Sequence, residues 1–190
     1  MPPPIVHSFE IDRPPEEVYP YVTDPTRFAE WQYDVVSVRI EEGRPPSVGS
    51  KFTTTRRIGR TERTMTQEIT EINPARSWAA HGVAGPIRPN ANITVEPLND
   101  NTRSRVTIAL DFQGHGIGAP LVPVIRRMAA KGAPRSYQNL KKRLESGEGD
   151  SKPEASTLYA PNVRMLLLFA GGVALFALVI AWIRNWHSRH

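Results

Sequence analysis

At 190 residues, with a formal net charge of +5 and no cysteine, the chain has room for one ordinary domain and about forty residues more. Disulfides, thiolate metal sites and thiol catalysis are excluded. Basic and acidic residues nearly balance across residues 1–150, which argues against nucleic acid as a partner, because its binders concentrate positive charge.

The first fifteen residues, MPPPIVHSFEIDRPP, lack a basic start followed by an apolar run. No secretory signal is read there, and the globular part is expected in the cytoplasm. Residues 5–12 alternate, with His7, Phe9 and Ile11 on one face and Ser8, Glu10 and Asp12 on the other, the pattern of a half-buried strand. Prolines 14 and 15 followed by Glu16 and Glu17 open a short helix, acids in its first turn suiting the dipole. Asp24-Pro25 stops it and starts another turn over 26–31.

Strands follow in succession. Val36, Val38 and Ile40 alternate with Ser37, Arg39 and Glu41. Residues 52–58 and 63–72 are joined around Gly59, and 77–83 and 91–95 come after a turn at 73–75. Leu98-NDN-Thr102 is a tight hairpin signal. The next strand, 104–113, has Val106, Ile108, Leu110 and Phe112 facing in and Asp111 facing out. After Gly114 the period becomes helical, with Leu121, Ile125, Met128, Gly132, Tyr137, Leu140 and Leu144 on one stripe. Pro134 should kink or split that helix. A long helix laid across a curved antiparallel sheet would bury the stripe.

Residues 147–163, rich in Gly, Ser, Pro and acids, read as a flexible linker. Residues 165–183 carry no charge and at about 1.5 Å per residue would extend roughly 28 Å, close to the hydrocarbon thickness of a bilayer. A transmembrane helix over 164–184 is expected, leaving 185–190 as a short polar tail. Trp182 and Trp186 fall at its rim, where indoles favour the interface. The expectation is a tail anchor with the N-terminal domain in the cytoplasm. Ala170, Ala174, Ala177 and Ala181 recur on one face, a spacing that allows a homodimer through this helix, although alanine is also common in such segments.

The stretches FEIDRPPEEVYPYVTDPTRFAEW (9–31), EINPARSWA (71–79) and NLKKRLE (139–145) resemble the START-like, or SRPBCC, superfamily, in particular its polyketide cyclase/dehydratase-like branch. The resemblance covers 3–146 and defines a domain at 1–146. It implies an α+β helix-grip fold: a seven-stranded antiparallel sheet wrapped round a long C-terminal helix, with a hydrophobic cavity between. Such proteins bind lipids, sterols, polyketides or hormones, and some catalyse cyclisation or dehydration. Fold alone does not choose among these.

The inward sets place Phe9, Trp31, Val38, Phe52, Met65, Trp78, Ile93, Ile108, Leu110 and Phe112 on the cavity wall, with Ile125, Met128 and Tyr137 facing them from the helix. This lining suits an apolar ligand; the same residues would equally make a filled core. Trp31 and Tyr33 flank the entry to the second strand, as gates or as packing against the helix. His7, Asp111 and His115 are the weak catalytic candidates. His7 points inward, His115 sits in the glycine-rich loop before the long helix, and Asp111 has no acid or histidine partner defined by spacing. No paired-acid, Ser-His-Asp, phosphate-loop or metal-ligand motif is present, so no cofactor and no metal are expected. Basic clusters at Arg56, Arg57, Arg60 and Arg63, along Arg126, Arg127, Lys131 and Arg135, and at 141–143 read either as a docking face for anionic lipid or as a solvated surface. The expected function is a membrane-tethered carrier of a hydrophobic small molecule or lipid. The alternatives are a cyclase/dehydratase-like enzyme and an interaction module without a ligand.

Overall fold

The computed structural model describes residues 2–41 and 46–147. The expected transmembrane helix, its linker from residue 148 onward and the final tail lie outside the described residues. Among the described residues no helix is long and apolar enough to cross a membrane.

The element order is the one the periodicities imply: β1 (Ile5–Ile11), α1 (Pro15–Thr23), a 3₁₀ turn at Pro25–Arg27, α2 (Phe28–Trp31), β2 (Val35–Ile40), β3 (Lys51–Ile58), β4 (Thr61–Asn73), β5 (Ser77–Gly82), β6 (Ile87–Leu98), β7 (Arg103–Gly114), a 3₁₀ turn at Gly116–Leu121, and α3 (Val122–Glu145). The strands form one antiparallel sheet in the order β1-β7-β6-β5-β4-β3-β2. The chain crosses from β1 at one edge to β2 at the other through α1 and α2, then runs back strand by strand until β7 lies beside β1.

Local chemistry explains most boundaries. Asp24 caps the turn after α1 through its carboxylate, which accepts from the Thr26 amide at 2.8 Å. The β6–β7 hairpin turns on Asn99, Asp100 and Asn101, all at positive φ, a conformation that Asn and Asp tolerate better than other side chains. The Thr102 hydroxyl closes it on the Asn99 carbonyl at 2.7 Å.

Three expectations need correction. Val36 does not face inward: it is 41 % exposed. A bulge between Val35 and Ser37 shifts the phase, so Val35 is buried in its place while Val38 and Ile40 keep their inward side. Strand β6 is longer than 91–95 and includes Pro89 and Pro97. Both prolines lie beyond Asn90–Thr94, where β6 pairs with β5, and a proline is tolerated where one side of a strand has no ladder to serve. Leu121 is 51 % exposed because it ends a 3₁₀ turn and precedes the helix, out of phase with the buried stripe. Pro134, for its part, does not split α3, which runs through it.

The core lies between the sheet, α1, α2 and the C-terminal half of α3. Ile11, Val18, Val22, Phe52, Ile69, Val106 and Leu140 are all buried within it. Tyr19 reaches from α1 to the Ser77 carbonyl at 2.9 Å. The C-terminus of α3 is tied to the end of β1, where Arg13 Nε donates to the Leu144 carbonyl at 3.0 Å and the Asp12 amide to Glu145 Oε1 at 2.9 Å. Its N-terminal end is tied by Arg126, which donates to Asp111 on β7 and to the Pro3 carbonyl.

Candidate functional site: a cavity under the long helix

The two halves of α3 meet the sheet differently. Leu140 and Leu144 are buried in the core, whereas Ala133 and Ala129, about two and three turns before Leu140, stand over open space. Small side chains on that stretch leave a gap that larger ones would fill. The result is a cavity of about 150 Å³ bounded by α2, the strands from β3 to β7, and the N-terminal half of α3. Cavities of that order hold about one aromatic ring.

Its wall is mostly apolar. Strand β4 contributes Met65, β5 Trp78, β6 Ala91 and Ile93, and β7 Ile108, Leu110 and Phe112; α3 contributes Ile125, Met128 and Tyr137. Period two puts the strand residues on one face, which is why sequence alternation identifies them. Trp31 lines the cavity as well, packed edge-on against Phe28 with ring centroids 5.8 Å apart. Phe28 also meets Trp78 edge-on at 5.9 Å.

Phe9, Val38 and Phe52 are not on the wall. Phe52 lies deeper, buried against Phe28 and Trp78. Phe9 stacks on Tyr137 at 4.9 Å, and Val38 packs against the core. Each faces the helix side of the sheet as expected, but a neighbouring ring or the core covers it.

Sequence reading missed Phe28, Ala129, Ala133, Pro89 and the polar group Gln32, Asp34, Arg56, Arg57, Gln67 and Ser136, all of which border the cavity. Residues at 129, 132 and 133, all Ala or Gly on the sheet-facing side of α3, were the available signal of a thinned helix.

Most of the polar wall is internally satisfied. Arg56 Nη1 bonds both carboxylate oxygens of Asp34 at 3.0 Å, and Arg56 Nη2 donates to Gln32 Oε1 at 2.6 Å. Arg57 pairs with Glu62 at 3.1 Å. The Ser136 hydroxyl accepts from the Tyr33 amide at 3.2 Å. Tyr33 lies against Gly132, where a methyl group would overlap its ring, and the Arg135 guanidinium sits 5.7 Å from its centroid. Tyr33, 45 % exposed, and Met128, 38 % exposed, mark where the cavity reaches the surface. Tyr33 therefore packs on the helix and also borders the opening.

The catalytic candidates are scattered. His7 is half-buried with its ring 5.4 Å from Tyr137, off the cavity wall. His115 is exposed and contributes its backbone amide to the Pro86 carbonyl at 2.8 Å. Asp111 is engaged by Arg126 as a strut between β7 and α3. The cavity brings none of the three together. His81 is half-buried on β5. Of the basic residues expected on a docking face, Arg56, Arg57, Arg126, Lys141 and Arg143 are held in ion pairs.

A seven-stranded antiparallel sheet gripping a C-terminal helix over an apolar cavity defines the helix-grip class. Residues 4–145 match the family model described as "Polyketide cyclase / dehydrase and lipid transport", and the chain belongs to that family. Solved structures share the fold at low identity. The TTHA0849 protein of Thermus thermophilus is 15 % identical with a TM-score of 0.63, covering 76 % of this chain and 99 % of its own. A START superfamily protein of Mycobacterium smegmatis is 14 % identical with a TM-score of 0.62, over 76 % and 99 %. The di-domain ARO/CYC protein BexL, of the BE-7585A biosynthetic pathway, is 17 % identical with a TM-score of 0.59. There the match covers 75 % of this chain and only 46 % of BexL, less than half its length. No curated protein matches the chain.

The wall residues generate two predictions. Gly132→Ala should push the Tyr33 ring off α3. Alanine favours the helix by about 1 kcal/mol, so the melting temperature should move by only a few degrees while the Tyr33 ring signals shift in NMR spectra; unmoved ring signals would contradict the contact. Burial pushes the Tyr137 phenol up to about 12 from its usual 10.0. The fold thus favours the neutral phenol, a contribution fully present below pH 10 and lost as pH rises toward 12. Denaturant titrations should show wild type losing on the order of 2 kcal/mol more than Tyr137→Phe across that window, and equal losses would refute it.

Proposed function

We propose that this protein binds or carries a compact hydrophobic small molecule or lipid in the cavity under α3, and that residues 165–183 tether it to a membrane. The observation that carries the first part is the gap beneath Ala129 and Ala133: an apolar enclosure that reaches the surface beside Tyr33 and Met128. Family membership supports it, since the family's description includes lipid transport. At about 150 Å³ the cavity is smaller than the roughly 300–1,000 Å³ common for ligand pockets. A ligand of more than one ring would enter by displacing the exposed Tyr33 and Met128 side chains.

The carrier reading is preferred to a cyclase/dehydrase-like enzyme on the chemistry of the wall. A general acid or base must stand within hydrogen-bonding reach of the reacting group. Here Asp34 is clamped by Arg56, and His7, Asp111 and His115 lie elsewhere. The tether reading rests on the uncharged run at 165–183. A tether confines the cavity near the phase where apolar ligands dissolve and raises their effective concentration. The domain then lies in the cytoplasm, and the alanine face of the span offers a homodimer contact.

Filling the gap is the direct test of binding. Ala133→Phe should reduce affinity for an apolar fluorescent probe at least ten-fold while far-UV circular dichroism stays unchanged; an unaltered affinity would remove the cavity as the site. For the tether, the full-length chain should float with liposomes and resist carbonate extraction, and the chain ending at residue 163 should remain behind. Equal behaviour of the two would sink the anchor.

A further inference from the structure

Gln67 is a polar wall residue whose side chain has no protein partner among the described residues. The alternation of β4 turns Met65, Gln67 and Ile69 toward α3, and Gln67, only 5 % exposed, borders the cavity. Its carboxamide makes no hydrogen bond to any described residue. The remaining polar wall is mostly committed: Gln32 and Asp34 to Arg56, Arg57 to Glu62, and Ser136 to the Tyr33 amide. Two further wall groups have no hydrogen-bond partner among the described residues, the buried indole Nε1–H of Trp31 and the Tyr137 phenol; neither offers two donors and an acceptor as the carboxamide does.

Buried polar groups almost always find a partner, and one that does not calls for an explanation. The neighbours of Gln67 on the same face of β4, Met65 and Ile69, are apolar. A few placed polar groups in an apolar pocket are what orient a ligand. A carboxamide offers two donors and an acceptor but no charge. Both cations on the wall, Arg56 and Arg57, are already neutralised by carboxylates, so nothing there calls for an anionic ligand. The complement of Gln67 is a neutral oxygen, a carbonyl or hydroxyl, on an otherwise apolar body small enough for the cavity.

We infer that Gln67 is the specificity-determining residue of the cavity, selecting ligands that present a neutral hydrogen-bonding oxygen over hydrocarbons of the same shape. This rests on the cavity being a binding site, and the experiment separates the two claims. Para-fluoroacetophenone and para-fluoro-α-methylstyrene differ by C=O against C=CH2, and their binding to the full-length chain is read by fluorine NMR. The ketone should bind about ten-fold tighter, the worth of one buried hydrogen bond. Gln67→Leu should bring the ketone down to the alkene's affinity and leave the alkene unchanged. Gln67→Met, closer in shape, replaces it if Gln67→Leu lowers the melting temperature. A ratio near one in wild type, as when the amide keeps a water molecule, overturns the inference, and so does a ratio that survives both substitutions. Para-fluorobenzoate binding tighter than the ketone overturns the neutral assignment. If neither probe responds to Ala133→Phe, the cavity reading falls as well.

Discussion

Everything functional in this domain depends on how one helix is seated. Helix α3 is clamped at its C-terminal end, where Leu140 and Leu144 enter the core and Arg13, Asp12 and Glu145 join it to β1. At the other end it is held by polar struts, Arg126 to Asp111 and Pro3. A helix fixed at both ends cannot settle onto the sheet in between. Where its side chains shrink to Ala129, Gly132 and Ala133, the distance stays and the volume opens. The close packing of protein interiors makes such a gap costly unless something occupies it.

The same seating explains why the cavity is chemically quiet. The struts that hold the helix use up ionisable groups that could otherwise have served as catalysts, Asp111 most plainly. At the rim, Arg56 ties Asp34 and Gln32 into a short network linking the segment before β2 to β3. Charge in this domain holds elements in place, and the interior is left to shape and to a few neutral polar groups. Recognition of a neutral ligand is consistent with that division.

Legibility in the sequence tracks regularity. Strand β7 alternates without interruption, and Ile108, Leu110 and Phe112 are readable as wall residues from period two alone. Strand β2 carries a bulge at Val35–Ser37, and nothing in VVSVRI marks which valine is the extra one, so alternation puts Val36 on the wrong face. β6 reads short because Pro89 and Pro97 look like strand breakers until the limited extent of its β5 pairing is known. Cavity membership is harder still, because facing inward and touching the void differ. Phe9 and Phe52 face in yet are covered by Tyr137 and Phe28, which depends on ring placement that no alternation encodes. Gln67 escapes a search for an oily lining, which discards polar residues.

The sheet is open, so β1 and β2 each present a free edge, and an unpaired edge is a template for another strand. The two edges are blocked by different means. Along β1, α3 reaches over: Lys141 Nζ donates to the Glu10 carbonyl at 3.0 Å, Arg126 to that of Pro3, and Glu145 accepts from the amide of Asp12 just past the strand. On β2 the bulge interrupts the regular row of backbone groups. Interrupted edges hinder one copy of this domain from extending its sheet into the next, at whatever concentration the copies meet.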